Sequence, residues 1–287
     1  MSFKGFLVFS ILWTTLIYDP LAHWVWGVGG WIHNLGALDF AGGTVVHISS
    51  GAAALAGALL VGKRRGYLRE PMPPHNLTLT ITGAGLLWVG WFGFNAGSAL
   101  AADGLAVSTF VATHLGAAAA TLAWVGAEWY VAGKPTTLGA ASGAVAGLVA
   151  ITPASGFVGP ISALLIGGAA GVVCFSAVRM KTRLGYDDAL DVVGVHMIGG
   201  ILGALLTGLF ASVAINSAGA NGLFFGNPHQ LLVQTIAVAA SVAFSFVGSA
   251  ILLKLTDALV GIRVADEAEQ TGLDLSEHEE NAYVLEA

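Results

Sequence analysis

Two histidines stand inside long apolar runs, His47 in Val45-Val46-His47-Ile48 and His196 in Val195-His196-Met197. An ionisable side chain is costly inside hydrocarbon, and where one is kept it tends to mark a path for a substrate, an ion or a proton. A neutral imidazole carries one donor and one acceptor nitrogen. Two of them on opposed segments can pass hydrogen bonds to a small polar molecule or relay a proton. The plainer alternative is a pair of structural histidines, each satisfied by a neighbouring helix. Their contexts echo each other: Ala37-Leu38-Asp39-Phe40 leads into His47, and Ala189-Leu190-Asp191-Val192 leads into His196. In each, an aspartate opens the run, where its carboxylate can support the site by capping exposed backbone amides. Capping alone would also explain Asp39 and Asp191. The aspartate-to-histidine spacings differ, eight residues against five.

A second group suits the recruitment of a cation. Trp26 lies in His23-Trp24-Val25-Trp26-Gly27, and Ser98 closes the run Trp91-Phe92-Gly93-Phe94-Asn95-Ala96-Gly97-Ser98. An aromatic face attracts a cation, and a hydroxyl accepts a hydrogen bond from one. Trp26 and Ser98 therefore make a candidate outer binding site, with Phe94 as an apolar gate beneath it. The alternative is the aromatic belt common at membrane surfaces. His114 lacks such a context and is read as packing. His23, His33, His75, His229 and His278 fall at the ends of runs or in loops. A different chemistry, a b-type haem held by His47 and His196 as axial ligands, sits poorly with the small residues around both. No cofactor is expected. The single cysteine, Cys174, excludes disulfides and cysteine-based metal clusters within the chain, and no metal site is expected. No hydrolase nucleophile arrangement or phosphate-cradling loop stands out, so an enzyme is not expected. The short basic loop from Lys63 to Arg69 is a topological signal and not a nucleic-acid site.

Membrane-spanning helices must position these residues. Hydrophobic residues make up 56% of the 287 and charged residues 10%, against about 25% charged in a soluble domain, so there is too little charge to clothe a soluble surface. Eight apolar segments are readable, at about 5–19, 39–62, 77–99, 105–131, 138–152, 159–178, 191–215 and 229–253, each to be compared with the roughly 20 residues a crossing needs. Tyr18-Asp19-Pro20 reads as the end of the first. With a cytoplasmic N-terminus, all 11 Lys and Arg fall on the inner side, the bias that sets orientation in the membrane. Both termini are therefore predicted to be cytoplasmic. The two aspartate–histidine runs point in opposite directions, as inverted repeats do in transport folds. Close-packing glycine pairs are candidates at Gly93/Gly97, Gly143/Gly147 and Gly167/Gly171. Eight of the 17 acidic residues lie in the last 25 positions, which marks residues 263–287 as an acidic cytoplasmic tail after a membrane domain at 1–262.

The runs ALDFAGGTVVHI at 37–48, GWFGFNAGSA at 90–99, GLVAITPASG at 147–156, DVVGVHMIGG at 191–200 and HQLLVQ at 229–234 resemble the ammonium transporter (Amt/MEP/Rh) family. So does the tail GIRVADEAEQTGLDLSEHEENAY at 261–283. Order and spacing agree along nearly the whole chain, most closely with the bacterial Amt branch. The resemblance implies an all-α transmembrane bundle and transport of ammonium or ammonia across the inner (plasma) membrane. It implies twin pore histidines at His47 and His196, outer ammonium contacts at Trp26 and Ser98, a gating phenylalanine at Phe94 and a supporting aspartate at Asp39. It further implies a homotrimer in the lipid bilayer and a PII-type nitrogen signalling protein as a cytoplasmic partner. Two departures are noted. The resemblance begins at the fourth of the family's eleven spans, so the first three are expected to be missing, and Glu279 stands where the family has glycine. An ammonium sensor, a regulatory subunit or a non-conducting fragment are the alternative readings.

Overall fold

The computed structural model describes residues 1–281 and 283, so the end of the predicted tail, residues 282 and 284–287, lies outside the described residues. The apolar runs fold as helices: α1 (Phe3–Trp13), α2 (Asp19–Trp26), α3 (Trp31–Asn34), α4 (Ser49–Val61), α5 (Leu77–Ala96) and α6 (Gly104–Ala132). There follow α7 (Thr137–Ile151), α8 (Pro160–Leu184), α9 (Ile198–Phe210), α10 (Pro228–Val260) and the short α11 (Asp266–Thr271) and α12 (Leu273–His278). No strand occurs among the described residues. Seven helical runs there are long and apolar enough to cross a membrane, and α7 is a shorter eighth. This is the all-α bundle of about eight spans that the sequence predicts. Local chemistry starts the helices. Asn76, Asp103 and Thr136 accept from first-turn amides of α5, α6 and α7. Pro160 and Pro228 open α8 and α10, where no N–H is needed.

The helix end expected at Tyr18-Asp19-Pro20 does not form. α1 runs through a π turn, Thr14–Tyr18, straight into α2, and the Asp19 N–H reaches back five residues to the Thr14 carbonyl. The widened turn accommodates Pro20, whose ring would clash in a regular helix and which has no N–H to give. The first span therefore extends to Trp26. The short α7 is continued by a turn over residues 152–157 that is buried throughout. Irregular backbone at this depth is tolerated because protein, not lipid, surrounds it.

Glycines set how closely the helices approach. A Cβ at Gly167 would lie 2.1 Å from the Gly116 carbonyl oxygen, at Gly171 2.4 Å from that of Ala120, and at Gly147 2.5 Å from the Ala120 Cβ. Thus α7 and α8 both lie against the backbone of α6. Gly93 and Gly97 have open space around them, so their spacing marks no helix contact. Gly167→Ala is expected to cost about 1–3 kcal/mol by forcing α8 off α6, and Gly93→Ala no more than about 0.5 kcal/mol. Thermal unfolding in detergent checks this; equal melting temperatures would contradict it.

The bundle has two distinct ends. At one, the chain start, the loops around 64 and 187 and the tail converge. The Phe3 N–H donates to Glu277 (2.9 Å), the Arg65 N–H to Glu269 (2.7 Å) and the Tyr67 hydroxyl to the Tyr186 carbonyl (2.7 Å). This basic end corresponds to the predicted inner side. At the other, Gln234 of α10 clasps both the N–H (2.7 Å) and the carbonyl (2.8 Å) of Leu38. That clasp fixes the approach to Asp39.

Candidate functional site

His47 and His196 both sit on π turns that open a span, Gly43–Ile48 ahead of α4 and Val193–Met197 ahead of α9. Each turn is held at its start by a buried aspartate. Asp39 Oδ1 accepts from the Gly42 (2.9 Å) and Gly43 (2.6 Å) amides, and Oδ2 from the Thr44 (2.8 Å) and Val45 (3.2 Å) amides and the Thr44 hydroxyl. Gly42, at φ +118°, makes this wrap possible, because its backbone lies in the left-handed region.

Asp188, not Asp191, holds the second turn. Its Oδ2 accepts from the Val193 amide at 2.7 Å, five residues on, as Asp39 Oδ2 does with Thr44. The supporting role expected for Asp191 is therefore corrected. Asp191 is in the left-handed region (φ +58°) and its carboxylate takes the Lys181 ammonium instead of the helix amides. With Asp188 as the partner, both aspartate-to-histidine spacings are eight. That equality was the sequence signal for Asp188, and the shared Ala-Leu-Asp triplet concealed it.

The two opposed turns bring the imidazoles together, Nδ1 to Nδ1 3.2 Å. One Nδ1 must carry the hydrogen and the other must accept it. A neutral pair therefore presents one bare Nε2 and one Nε2–H. His47 is buried and its Nε2 has no protein partner. The contact is too short for trans axial ligation, since two metal–nitrogen bonds of about 2 Å would set the nitrogens roughly 4 Å apart. The pair lines a largely apolar cleft of about 740 Å³ with Val46, Ser50, Leu87, Trp91 and Phe94. Trp91 stacks on His47 (ring centroids 5.3 Å, planes 17° apart), and Phe94 lies 6.1 Å from it. The Trp91 indole N–H donates to Thr152 (2.9 Å), which in turn meets Asn95 (3.2 Å), so the ring over His47 is locked in place. Trp91 was not singled out from sequence; it shares a helix face with Phe94, three residues on.

At the end opposite the basic loops, Trp26, Asp39, His33, Leu38 and Phe157 line a second cavity of about 390 Å³. The Trp26 indole N–H donates to the Asp39 carbonyl (2.7 Å), which fixes the ring above the capped turn. Ser98 lines neither cavity, and its hydroxyl donates to the Phe94 carbonyl at 2.8 Å. The structure thus joins His47, His196 and Phe94 in one cleft and Trp26 with Asp39 in another cavity, while Ser98 stands one turn beyond Phe94. His114 is exposed on the flank of the bundle, its ring 5.5 Å from Trp88 and 6.1 Å from Phe92.

Beneath the second turn, Arg64 binds Asp187 through three donors, its backbone N–H (2.8 Å), Nε (2.9 Å) and Nη2 (2.7 Å). Burial pushes the Asp187 carboxyl up, and the Arg64 hydrogen bonds outweigh it and hold the group below the usual carboxylate range. Burial also raises Asp191, against the pull of Lys181. Among the described residues no cluster of three or more metal-ligating side chains is present.

The sequence profile of the Ammonium Transporter Family matches residues 1–283. An ammonium transporter of Bacillus subtilis is 52% identical over 284 residues, covering 99% of this chain and 70% of that protein. The crystal structure of Saccharomyces cerevisiae Mep2 superposes with a TM-score of 0.86 at 38% identity, over 91% of this chain and 62% of that one. A solved Sensor Amt protein matches with a TM-score of 0.82 at 31% identity, over 92% and 67% of the two chains. The chain thus spans about two thirds of the length of the proteins it matches.

Proposed function

Because this chain belongs to the Ammonium Transporter Family, whose members are membrane transporters and not enzymes, we propose that it carries the path by which ammonium is taken up, passing it as ammonia beside His47 and His196. The observation that carries this reading is the imidazole pair, 3.2 Å apart in an apolar cleft. A bare ammonium charge is costly at the membrane centre, whereas neutral ammonia is not. Trp26 and Ser98 recruit the cation at the outer end through a ring face and a hydroxyl. The proton leaves near Asp39, and ammonia passes Phe94 to the histidines. There it donates to the bare Nε2 and accepts from the Nε2–H of the other ring. The Nδ1 contact is the step through which the released proton can follow.

The chain is an integral membrane protein, and its basic end is assigned to the cytoplasm of the inner membrane. A homotrimer and a PII-type partner at that face complete the reading. The test is reconstitution of the chain in liposomes under an inward ammonium gradient, following charge movement and internal pH. A saturable response is expected, and His47→Ala should lower it roughly tenfold or more, the scale of one lost hydrogen bond of about 1.4 kcal/mol. Equal responses from both proteins would remove the histidines from the path.

A second reading is an ammonium sensor. It is favoured by the tail, where Glu269 takes both the Arg65 N–H and the Arg263 guanidinium beside the Arg64–Asp187 pair. Likeness to the Sensor Amt protein also supports it. Saturable ammonium binding with no flux would decide for this reading.

A further inference from the structure

Of the residues lining the outer cavity, only Asp39 and His33 have side chains able to accept a hydrogen bond. Asp39 has nothing left to offer. The Gly42, Gly43, Thr44 and Val45 amides and the Thr44 hydroxyl fill its two oxygens, since a carboxylate has about four lone-pair sites. Carbonyls of the wall are engaged as well. That of Gly36 takes the Gln230 side-chain amide (2.9 Å), that of Leu38 the Gln234 amide (2.8 Å) and that of Asp39 the Trp26 indole (2.7 Å). Ser98 does not line this cavity. The His33 imidazole is exposed, and among the described residues no hydrogen bond or ion pair engages it.

The short helix α3 sets its position. Ile32 is buried with Leu21, Val25 and Val45, and Trp31 lies against Trp24, ring centroids 5.9 Å apart. The His33 carbonyl takes the Gly36 N–H (2.8 Å), and Gly36, at φ +86°, ends the turn in the left-handed region. Anchored through these neighbours, the imidazole is kept at the wall of the cavity that it shares with the Trp26 ring.

We propose that His33 completes the outer cation site, its neutral ring nitrogen accepting an N–H of an ammonium ion seated on the Trp26 face. The inference rests on the reading that ammonium enters here. An aromatic face meets the charge of ammonium but gives its remaining N–H groups no lone pair. An imidazole nitrogen supplies a directed one. Potassium carries the same charge without N–H groups and takes oxygen ligands, so it gains little from an imidazole. His33 is thus a ligand that favours ammonium over potassium.

Two measurements on the full chain test this: calorimetric titration in detergent with ammonium chloride and with potassium chloride, and ammonium flux in liposomes. His33→Ala should weaken ammonium binding about tenfold, the scale of one hydrogen bond to a charged group. The half-saturating concentration for flux should rise by the same factor with maximal flux within about twofold, as when binding alone is lost. Potassium binding should change no more than about twofold, because no N–H is lost with it. His33→Gln keeps a side-chain acceptor and should stay within about threefold of wild type. His23→Ala, which removes an exposed imidazole of α2 outside the cavity, should change nothing. Unchanged ammonium affinity in His33→Ala, equal weakening of both cations, or a glutamine variant as impaired as alanine would each overturn the proposal, even where wild-type flux is saturable. Ammonium binding that His33→Ala weakens in a chain without flux would uphold the site and overturn the transport reading. No ammonium binding by wild type would overturn both.

Discussion

Replacement of Asp39 by alanine is expected to lower stability by about 3–5 kcal/mol, because it strips partners from buried amides and a hydroxyl at once. The Gly42, Gly43, Thr44 and Val45 amides and the Thr44 hydroxyl all converge on this one carboxylate. At 2–4 °C per kcal/mol the melting temperature in detergent should fall by roughly 10 °C. Flux should fall with it, since these amides open the turn that holds His47. Asparagine is no rescue. One of its terminal atoms is an NH₂ donor, and it would face the donors that Oδ1 or Oδ2 now satisfies. Asp188 should behave differently, because it holds a single amide, that of Val193. Asp188→Asn keeps an acceptor there and should cost no more than about 1 kcal/mol. Matched losses at Asp39→Asn and Asp188→Asn would refute the assignment of a dense cap to one turn and a single bond to the other.

The span count was legible because membrane helices write themselves as long apolar runs, and the charge bias separated the two ends of the bundle. The histidines were legible too, as ionisable groups out of place in such runs. What escaped were matters of backbone geometry. Pro20 looked like a stop, yet a five-residue hydrogen-bond step carries the helix past it. Asp191 looked like the counterpart of Asp39 because its neighbours are alike. Its left-handed backbone and the nearby Lys181 instead draw the carboxylate away, and Asp188 takes its place. Glycine spacing was equally ambiguous. The pairs at 143/147 and 167/171 meet the backbone or side chains of α6, and the pair at 93/97 meets nothing. Spacing shows that an approach is possible, and only the neighbouring helix decides whether it occurs. Trp91 stayed hidden because aromatic residues abound at this level. Its stack on His47 depends on the anchor at Thr152, 61 residues away in sequence.

Removal of the Arg64 side chain should destabilise the basic end. The Asp187 side chain is 1% exposed and its partner's 44%. Arg64→Ala leaves a nearly buried carboxylate without its counter-charge. Such a loss costs about 3–5 kcal/mol when both groups are buried; with Arg64 half open to water, about 2–3 kcal/mol is expected. The pH dependence follows from the direction of the shift. Asp187 is held below its unfolded value, so the stabilisation is fully present above about pH 4 and fades as pH falls through the folded value. In the variant burial still raises the carboxyl, and only the backbone N–H of residue 64 and the Lys181 charge remain to oppose it, so acid neutralises it earlier than in wild type and relieves the penalty. The gap between wild type and Arg64→Ala should therefore be widest at neutral pH and narrow towards pH 4. Adding Asp187→Asn to the variant should recover at least half of the loss at pH 7 and flatten the profile. Melting temperatures from pH 7 to pH 4 decide it. A gap independent of pH, or no recovery with asparagine, would mean that the pair does not set the stability of this loop. Asp188 stands next in the chain and caps the turn that carries His196. A loosened Asp187 should thus reach the imidazole pair, and flux through Arg64→Ala should fall more at neutral pH than in mild acid.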